Sequence, residues 1–500
     1  SSLPNGLVRC PAGQASDFIP TVDTGFVKQH LMETESTARL WPLQLTAFEE
    51  YMMADDHPSH PMMMVLLADV TGVLRESEFR EAAEGLLRNH PLLCCTVSRV
   101  DGRLCWQPAA VPADLVEWIP AQEQDALTYS PDLRRRDLTK ETGCRVRAVV
   151  SAQRARILVE VHHACCDGLA ALQLVAELLA RYGAATILPD EECPKYDPVE
   201  IALLTERNRF RPVAAKRKRS LKTLVAKLWR LTSRQPLRLL GTRERGGADA
   251  AAAEELLPHG RAFWLQTLSR ETVDSLRGVA AGLRVSINDL LLQQAFFQVR
   301  DWNSAAGPVD PQGWIRIAVP LSMRESQHTG IPACNMVSYG LVTHAVEETR
   351  QPADLLAKIK EKTSSFLRSG EGRIALKMFD VLRRIPFGLR MFLSRSSGAG
   401  TIVMTTVGDV SRRLRCSFPL QDQRWVAGNV TVQRLGGAPP VRPGTPVSIT
   451  VAEYAGQMTI GLRSDGNVLS EADSQEFLQQ FVVRVEAVAT GRQEVSAAES

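Results

Sequence analysis

Apolar and polar positions change their period repeatedly along the chain, and each change predicts an element. From Leu40, the spacing of Leu43, Leu45, Phe48, Tyr51 and Met52 predicts a helix, and the apolar run Met62 to Val70 predicts a buried strand. Phe79, Ala82, Ala83, Leu86 and Leu87 recur at helical spacing between Glu76 and Asn89, and Pro91 ends that helix. Leu92 to Val100 and Arg103 to Gln107 read as strands joined by an Asp101-Gly102 turn. Two short β-branched runs come next, Arg145–Val150 and Arg156–Val161. A helix from Leu169 to Tyr182 follows, closed by Gly183.

Residues 184–258 break this order with Pro189, Pro194, Pro198, Pro212 and Pro236, the basic run Lys216–Arg219 and an alanine-rich stretch at 248–253. Periodicity returns with helices near Glu271–Ala281 and Asn288–Trp302. Strands are predicted at Ile315–Pro320, Met336–Thr343, Thr401–Val407, Val447–Tyr454 and Met458–Arg463, and a last helix from Ser470 to about Ala489. Strands and helices alternate, which predicts an α/β (α+β) class. Single cores rarely grow beyond ~250–300 residues, so a chain of this length predicts two lobes. We expect a first lobe at 1–185, a connector at 186–258 and a second lobe at 259–500.

Composition narrows the function. With 44% hydrophobic and 23% charged residues the chain is ordinary for a soluble protein, and a net charge of +3 argues against an overall nucleic-acid binder. No apolar stretch approaches the ~18 residues needed to span a membrane. Ser1 to Asp17 has neither a basic start nor an apolar run, so secretion is not expected. The ten cysteines show no CxxC spacing, which fits a reduced, cytoplasmic protein.

The segment His162-His163-Ala164-Cys165-Cys166-Asp167-Gly168 joins a predicted strand to a predicted helix and carries the candidate chemistry. Neighbouring residues on an extended chain point to opposite faces, so one of His162 and His163 is expected to be structural. A histidine at a strand end suits proton transfer near neutral pH, where its uncharged form is available. Asp167 sits just before the helix, whose positive end favours a carboxylate, and can hold the turn by pairing with an arginine from elsewhere. Gly168 leaves room for the close approach of a ligand or backbone. His, Cys and Asp also bind metals, but the opposed histidines and the lack of a second ligand cluster count against a metal site, and none is expected. No G-x-S-x-G elbow, P-loop or dinucleotide fingerprint is present, so those readings drop out. A His-His pair alone is more often structural than catalytic, so the motif needs company.

That company exists. The segment resembles the HHxxxDG motif of thioester-dependent acyltransferases built from two chloramphenicol-acetyltransferase-like lobes. The superfamily includes nonribosomal peptide condensation domains, plant alcohol acyltransferases, polyketide-associated acyltransferases and bacterial wax ester synthases. Arg88-Asn89-His90-Pro91-Leu92-Leu93 resembles its R-x-H-P-x-L-R stretch, with Cys94 where arginine is common. Ser286-Ile287-Asn288-Asp289-Leu290-Leu291 is similar to T-x-N-D-x-L, and Val319-Pro320-Leu321-Ser322-Met323-Arg324 to V-P-x-x-x-R. Cys334-Asn335-Met336-Val337 resembles the G-N strand with Cys for Gly, and Thr405-Thr406-Val407-Gly408 loosely resembles S-N-x-G. These segments occur in the family's order across residues 40–490.

The resemblance implies two lobes, each a mostly mixed β-sheet flanked by helices, with an active-site tunnel between them. It implies transfer of an acyl group from a thioester to a hydroxyl by direct attack, with His163 as general base, His162 structural, and Asp167 pairing with Arg324. An oxyanion donor is expected from the second lobe, and the residue types do not choose among Thr405, Thr406, Ser338 and Asn288. The resemblance implies no bound cofactor. The co-substrate would be acyl-CoA or the phosphopantetheine thioester of an acyl carrier protein, and the acceptor a small molecule or lipid. The alternatives are a stand-alone amide-forming condensation enzyme and a non-catalytic module that binds a carrier protein or membrane. The intact His163, Asp167 and Gly168 argue against the second.

One stretch stands apart. Leu221, Leu224, Val225, Leu228 and Leu231 fall on one side of a helix after Lys216–Arg219, opposite Lys222, Lys227, Arg230 and Arg234, with Trp229 at the border. Such a helix either lies on an anionic membrane through 216–234 or packs on the protein with its charges in water. Leu376 to Arg395, broken by Pro386, has similar character. No aromatic-and-basic platform accompanies the run, so nucleic acid is not an expected partner. The expected location is the cytoplasm, peripheral on the inner face of a membrane if this helix binds lipid.

Overall fold

The computed structural model describes residues 40–112, 114–210, 235–245, 263–395 and 400–491. The basic helix expected at 216–234 lies outside the described residues.

In the first half, helix α1 (Ala47–Asp55) begins at Thr46, whose hydroxyl accepts from the Glu49 N–H while the Glu49 carboxylate accepts from Thr46. The helix expected from Leu40 starts late because Leu43 and Gln44 pair with Trp106 and Cys105 as a short strand. Strand β1 (Met63–Gly72) and helix α2 (Glu76–Asn89) follow. A 3-10 turn, Pro91–Cys94, delays the strand expected from Leu92 to Cys95. Then come β2 (Val116–Pro120), β3 (Cys144–Val150), β4 (Arg154–His162) and helix α3 (Gly168–Thr186). Gly183 does not close α3 as expected; it lies inside the helix, where a Cβ would come 2.9 Å from the Ala427 backbone. Its role is close packing rather than termination.

The second half opens with β5 (Phe263–Leu268), α4 (Arg270–Leu283), α5 (Ile287–Ser304), β6 (Trp314–Ser322) and β7 (Val337–Ala345). Three helices follow: α6 (Pro352–Ser369), α7 (Glu371–Leu382) and α8 (Gly388–Arg395). The chain ends with β8 (Ile402–Asp409), β9 (Leu420–Gln421), β10 (Arg424–Ala427), β11 (Val430–Ala438), β12 (Val447–Tyr454), β13 (Gln457–Ser464) and α9 (Glu471–Ala489).

Two large mixed sheets organise these elements, as the α/β reading expects. The first has seven strands in the order β9-β10-β11-β1-β4-β3-β2, the second six in the order β7-β6-β8-β12-β13-β5. Parallel pairing is confined to β2–β3 in the first sheet and β6–β8–β12 in the second. The first sheet is not built from the first half alone. Strands β9 to β11 cross over from the second half, and β11 runs antiparallel to β1 from Val430 opposite Gly72 to Ala438 opposite Val65. Where the sheets touch, a Cβ on Gly461 of β13 would sit 2.3 Å from the Gly437 carbonyl oxygen of β11, so the contact requires glycine.

Each sheet has its own apolar core. Phe79, Leu86, Leu174 and Leu178 fasten α2 and α3 to the first. Phe296, Trp302, Phe477 and Phe481 join α5 and α9 to the second, with the Trp302 and Phe477 rings edge-on at 5.1 Å. No described helix is long and apolar enough to cross a membrane.

Candidate active site

The turn between β4 and α3 separates the two histidines as strand alternation requires. His162, 1% exposed, is held inside the first lobe. Its Nδ1 accepts from the Ala164 N–H at 3.0 Å, which leaves the proton on Nε2, 3.5 Å from the Asp56 carboxylate. Asp56 also accepts from Arg135 Nε at 2.6 Å and from the Met62 N–H at 3.0 Å. Burial works to raise the Asp56 pKa, but hydrogen bonds and charge from His162 and its other donors hold it below the ordinary value.

His163 points the other way, into a large cavity. Its backbone N–H donates to the Met62 carbonyl at 2.7 Å, and its ring lies edge-on to Phe48 with centroids 6.2 Å apart. Nδ1 is buried without a hydrogen-bond partner. Burial drives the imidazole pKa below its ordinary value, and the nearby Asp167 charge only partly opposes this. The ring is therefore neutral at neutral pH and able to accept a proton.

Asp167, 2% exposed, caps α3 and ties the turn to the second half. One oxygen accepts from the Ala170 N–H at 3.0 Å; the other accepts from Arg324 Nη1 at 2.8 Å and from the Met336 N–H at 2.7 Å. Arg324 also donates to the Cys334 carbonyl at 3.3 Å. Asn335 completes the clamp, its Nδ2 donating to the carbonyls of His163 at 2.7 Å and Ala164 at 2.8 Å. Gly168 opens onto the cavity, and a Cβ there would meet no atom within 4 Å. The intervening Cys165 and Cys166 are fully buried, and burial pushes both thiols well up, so neither is a ready thiolate.

The cavity, of about 1380 Å³, is lined from both halves of the chain. Thr405, Thr406 and Gly408 of β8 face it from the second sheet, and Asn288 from the first turn of α5. The β8–β12 register shifts between Thr406 and Gly408, where Gly408 adopts φ +75°, and Thr406 Oγ1 is left buried with no partner. Ser338 is spent: its Oγ donates to the Gly372 carbonyl at 2.7 Å. The structure thus brings His163, Asp167, Gly168, Arg324, Thr405 and Asn288 to one cavity and turns His162 away from it.

Two positioning residues carry little signal of their own in the sequence. Asn335 was visible only as part of the Cys334–Val337 resemblance, and Asp56, at the end of a helix more than a hundred residues before His162, left no sequence signal. His90 also gains a role: its Nε2 is 2.9 Å from the Glu177 carboxylate of α3, and its Nδ1 accepts from the Ala333 N–H at 2.8 Å. It links α2, α3 and the second half.

No protein-family model matches the chain, and no curated protein matches it in sequence. Solved structures do. Polyketide synthase associated protein 5 from Mycobacterium tuberculosis is 16% identical, with a TM-score of 0.59 over 90% of this chain and 98% of that one. Trichothecene 15-O-acetyltransferase from Fusarium sporotrichioides is 12% identical, with a TM-score of 0.61 over 89% and 94%. The starter condensation domain of rhizomide synthetase, solved with C8-CoA and Leu-SNAC, is 12% identical, with a TM-score of 0.60 over 91% and 96%. The chain has the two-lobed condensation-domain fold. At such coverage the likeness takes in both sheets.

Proposed function

We propose that this chain is an acyltransferase that moves an acyl group from a thioester, acyl-CoA or an acylated carrier protein, to a hydroxyl acceptor, with His163 as general base. The observation that carries the reading is a cavity-facing His163 at the end of β4, on a turn that Arg324, Asn335 and the Met336 N–H clamp in place. The cavity adds support, being larger than the ~300–1,000 Å³ of a typical single-ligand pocket and so roomy enough for donor and acceptor together. Among the structural neighbours, one is named as an O-acetyltransferase and another is complexed with C8-CoA.

In this mechanism His163 accepts the acceptor's O–H proton as the oxygen attacks the thioester carbonyl carbon. The carbon–oxygen bond forms, the carbonyl electrons move to oxygen, and a tetrahedral oxyanion results. Its collapse breaks the carbon–sulfur bond, and the imidazolium returns the proton to the leaving thiolate, giving ester and free thiol. Thr405, Thr406 and Asn288 are the candidate oxyanion donors. Asp167 and Arg324 act by holding the turn.

The test is free-thiol release from acyl-CoAs of increasing length and from an acylated carrier protein, with alcohol and amine panels, for the wild type and His163→Ala. Acceptor-dependent release that vanishes in the variant is the expected result. Preference for amines would move the reading to amide formation. Release that is equal in both proteins would remove His163 from the role of base, and silence with every donor would favour the non-catalytic module.

A further inference from the structure

Helices α7 and α8 are two-faced. Their inner side is anchored: Phe379 stacks on Tyr51 at 4.3 Å, and Arg383 Nη1 donates to the Leu45 carbonyl at 3.0 Å and to Glu50 at 3.1 Å. Leu376, Phe379, Leu382 and Leu389 are buried, while Phe379 and Phe392 line the cavity. The outer side is different. Val381, Ile385, Phe387 and Met391 are 43%, 46%, 78% and 46% exposed. Four of the nine large exposed hydrophobic residues described thus fall between positions 381 and 391, whereas the other five are scattered. A concentrated patch of this kind marks a contact surface, as scattered exposed residues do not.

The patch is also basic. Lys377, Arg384 and Arg390 are exposed beside it, and none makes an ion pair among the described residues. Lys377 and Val381 lie one turn apart on α7, Arg384, Ile385 and Phe387 sit in the turn that follows it, and Arg390 and Met391 are in the first turn of α8. Phe387 itself takes φ +57°, a conformation disfavoured for a bulky residue, and its ring stands out at the turn. A local strain that holds an aromatic ring in water calls for a partner that covers it.

We propose that the α7–α8 turn docks on an anionic lipid surface. Ile385, Phe387 and Met391 enter the boundary between headgroups and acyl chains, and Lys377, Arg384 and Arg390 meet the lipid phosphates. A turn that projects an apolar tip between cations suits a bilayer, which yields to it; a protein partner would need a matching groove. The inner faces of the same helices line the cavity, so docking brings the cavity beside the bilayer. The inference goes beyond acyl transfer and does not depend on it.

Cosedimentation of the full chain with vesicles tests it, using equal parts phosphatidylglycerol and phosphatidylcholine against phosphatidylcholine alone. Binding to the anionic vesicles that weakens at high salt is the expected result. The triple variant Ile385→Ser, Phe387→Ser, Met391→Ser should partition ~100-fold less. Arg384→Glu with Arg390→Glu should cost ~10-fold or more. Both variants should keep the wild-type unfolding midpoint, because the replaced side chains are exposed. A wild type that stays in solution with anionic vesicles overturns the proposal, as does a triple variant that binds like the wild type. Retention on an acidic carrier protein through these residues, without vesicle binding, would replace lipid by protein as the partner.

Discussion

On the wall of the cavity that carries His163, the polar atoms of the turn are mostly engaged: His162 with Ala164 and Asp56, Asp167 with Ala170, Arg324 and Met336, and the two carbonyls after His162 with Asn335. On the facing wall, Thr406 Oγ1 is buried without a partner, the strand register slips before Gly408, and Asn288 makes no side-chain hydrogen bond among the described residues. The contrast separates two tasks. On the proposed mechanism the first wall fixes where a proton is taken. On the same mechanism the second wall supplies unbonded polar groups to charge developing on the substrate. Mutations on the two walls should therefore fail in different ways.

The largest effect should come from the first wall. His163→Ala should lower acyl-transfer rates ~10²–10⁴-fold, the usual range for a lost general base, while the unfolding midpoint stays close to wild type. Thiol release and thermal unfolding on the same preparation separate the two readouts. Next in size is Asp167→Ala, which removes a buried carboxylate and leaves the half-buried Arg324 guanidinium and the Ala170 and Met336 N–H groups without their shared partner. It should cost about 3–5 kcal/mol of stability in a denaturant titration. An Asp167→Ala protein as stable as the wild type would mean that the turn does not rely on the Arg324 pair, and the contrast between the walls would weaken.

How much of this was legible in the sequence follows the same divide. The His163 turn is contiguous, so strand alternation alone separates His162 from His163 and places Asp167 at the start of α3. The Arg324 partner came only through resemblance, from a residue 157 positions away in the chain. Strands β9 to β11 are not legible in the sequence, because joining the first sheet from the second half is a choice of pairing partner, which local periodicity does not encode. Gly183 misled for a related reason: a glycine near a helix end reads as a stop, and its reason for being glycine lies in the distant Ala427 backbone. The facing wall was least legible. The resemblance of Thr405-Thr406-Val407-Gly408 located it, but the bulge that leaves Thr406 Oγ1 unpartnered depends on the β8–β12 register.

Acidity probes the first wall without altering it. Burial lowers the His163 pKa, so the folded protein keeps the neutral base at pH values where an ordinary histidine is already half charged. Profiles of kcat/KM over about pH 5 to 8 should stay flat through the ordinary histidine range, then fall about tenfold per pH unit below the lowered value. The sign for stability agrees. As pH falls, the unfolded chain takes up the proton first, so this contribution to stability is lost between the ordinary and the lowered pKa and changes no further below. An acid limb centred at or above the ordinary histidine value would mean that His163 is not the titrating base.

The smallest effect is expected where the facing wall is least satisfied. Thr406→Val removes a hydroxyl that has no partner and keeps the side chain's shape. Removing an unpaired buried polar group is neutral or stabilising, so the unfolding free energy should hold or rise by up to about 1 kcal/mol. Activity then decides what the hydroxyl is for. If Thr406 donates to the oxyanion, kcat should fall while stability holds, by less than the ~10²–10³-fold typical of a sole donor, since Thr405 and Asn288 share the wall. A loss of stability would show that the hydroxyl is bonded in solution, and that the second wall is as fully engaged as the first.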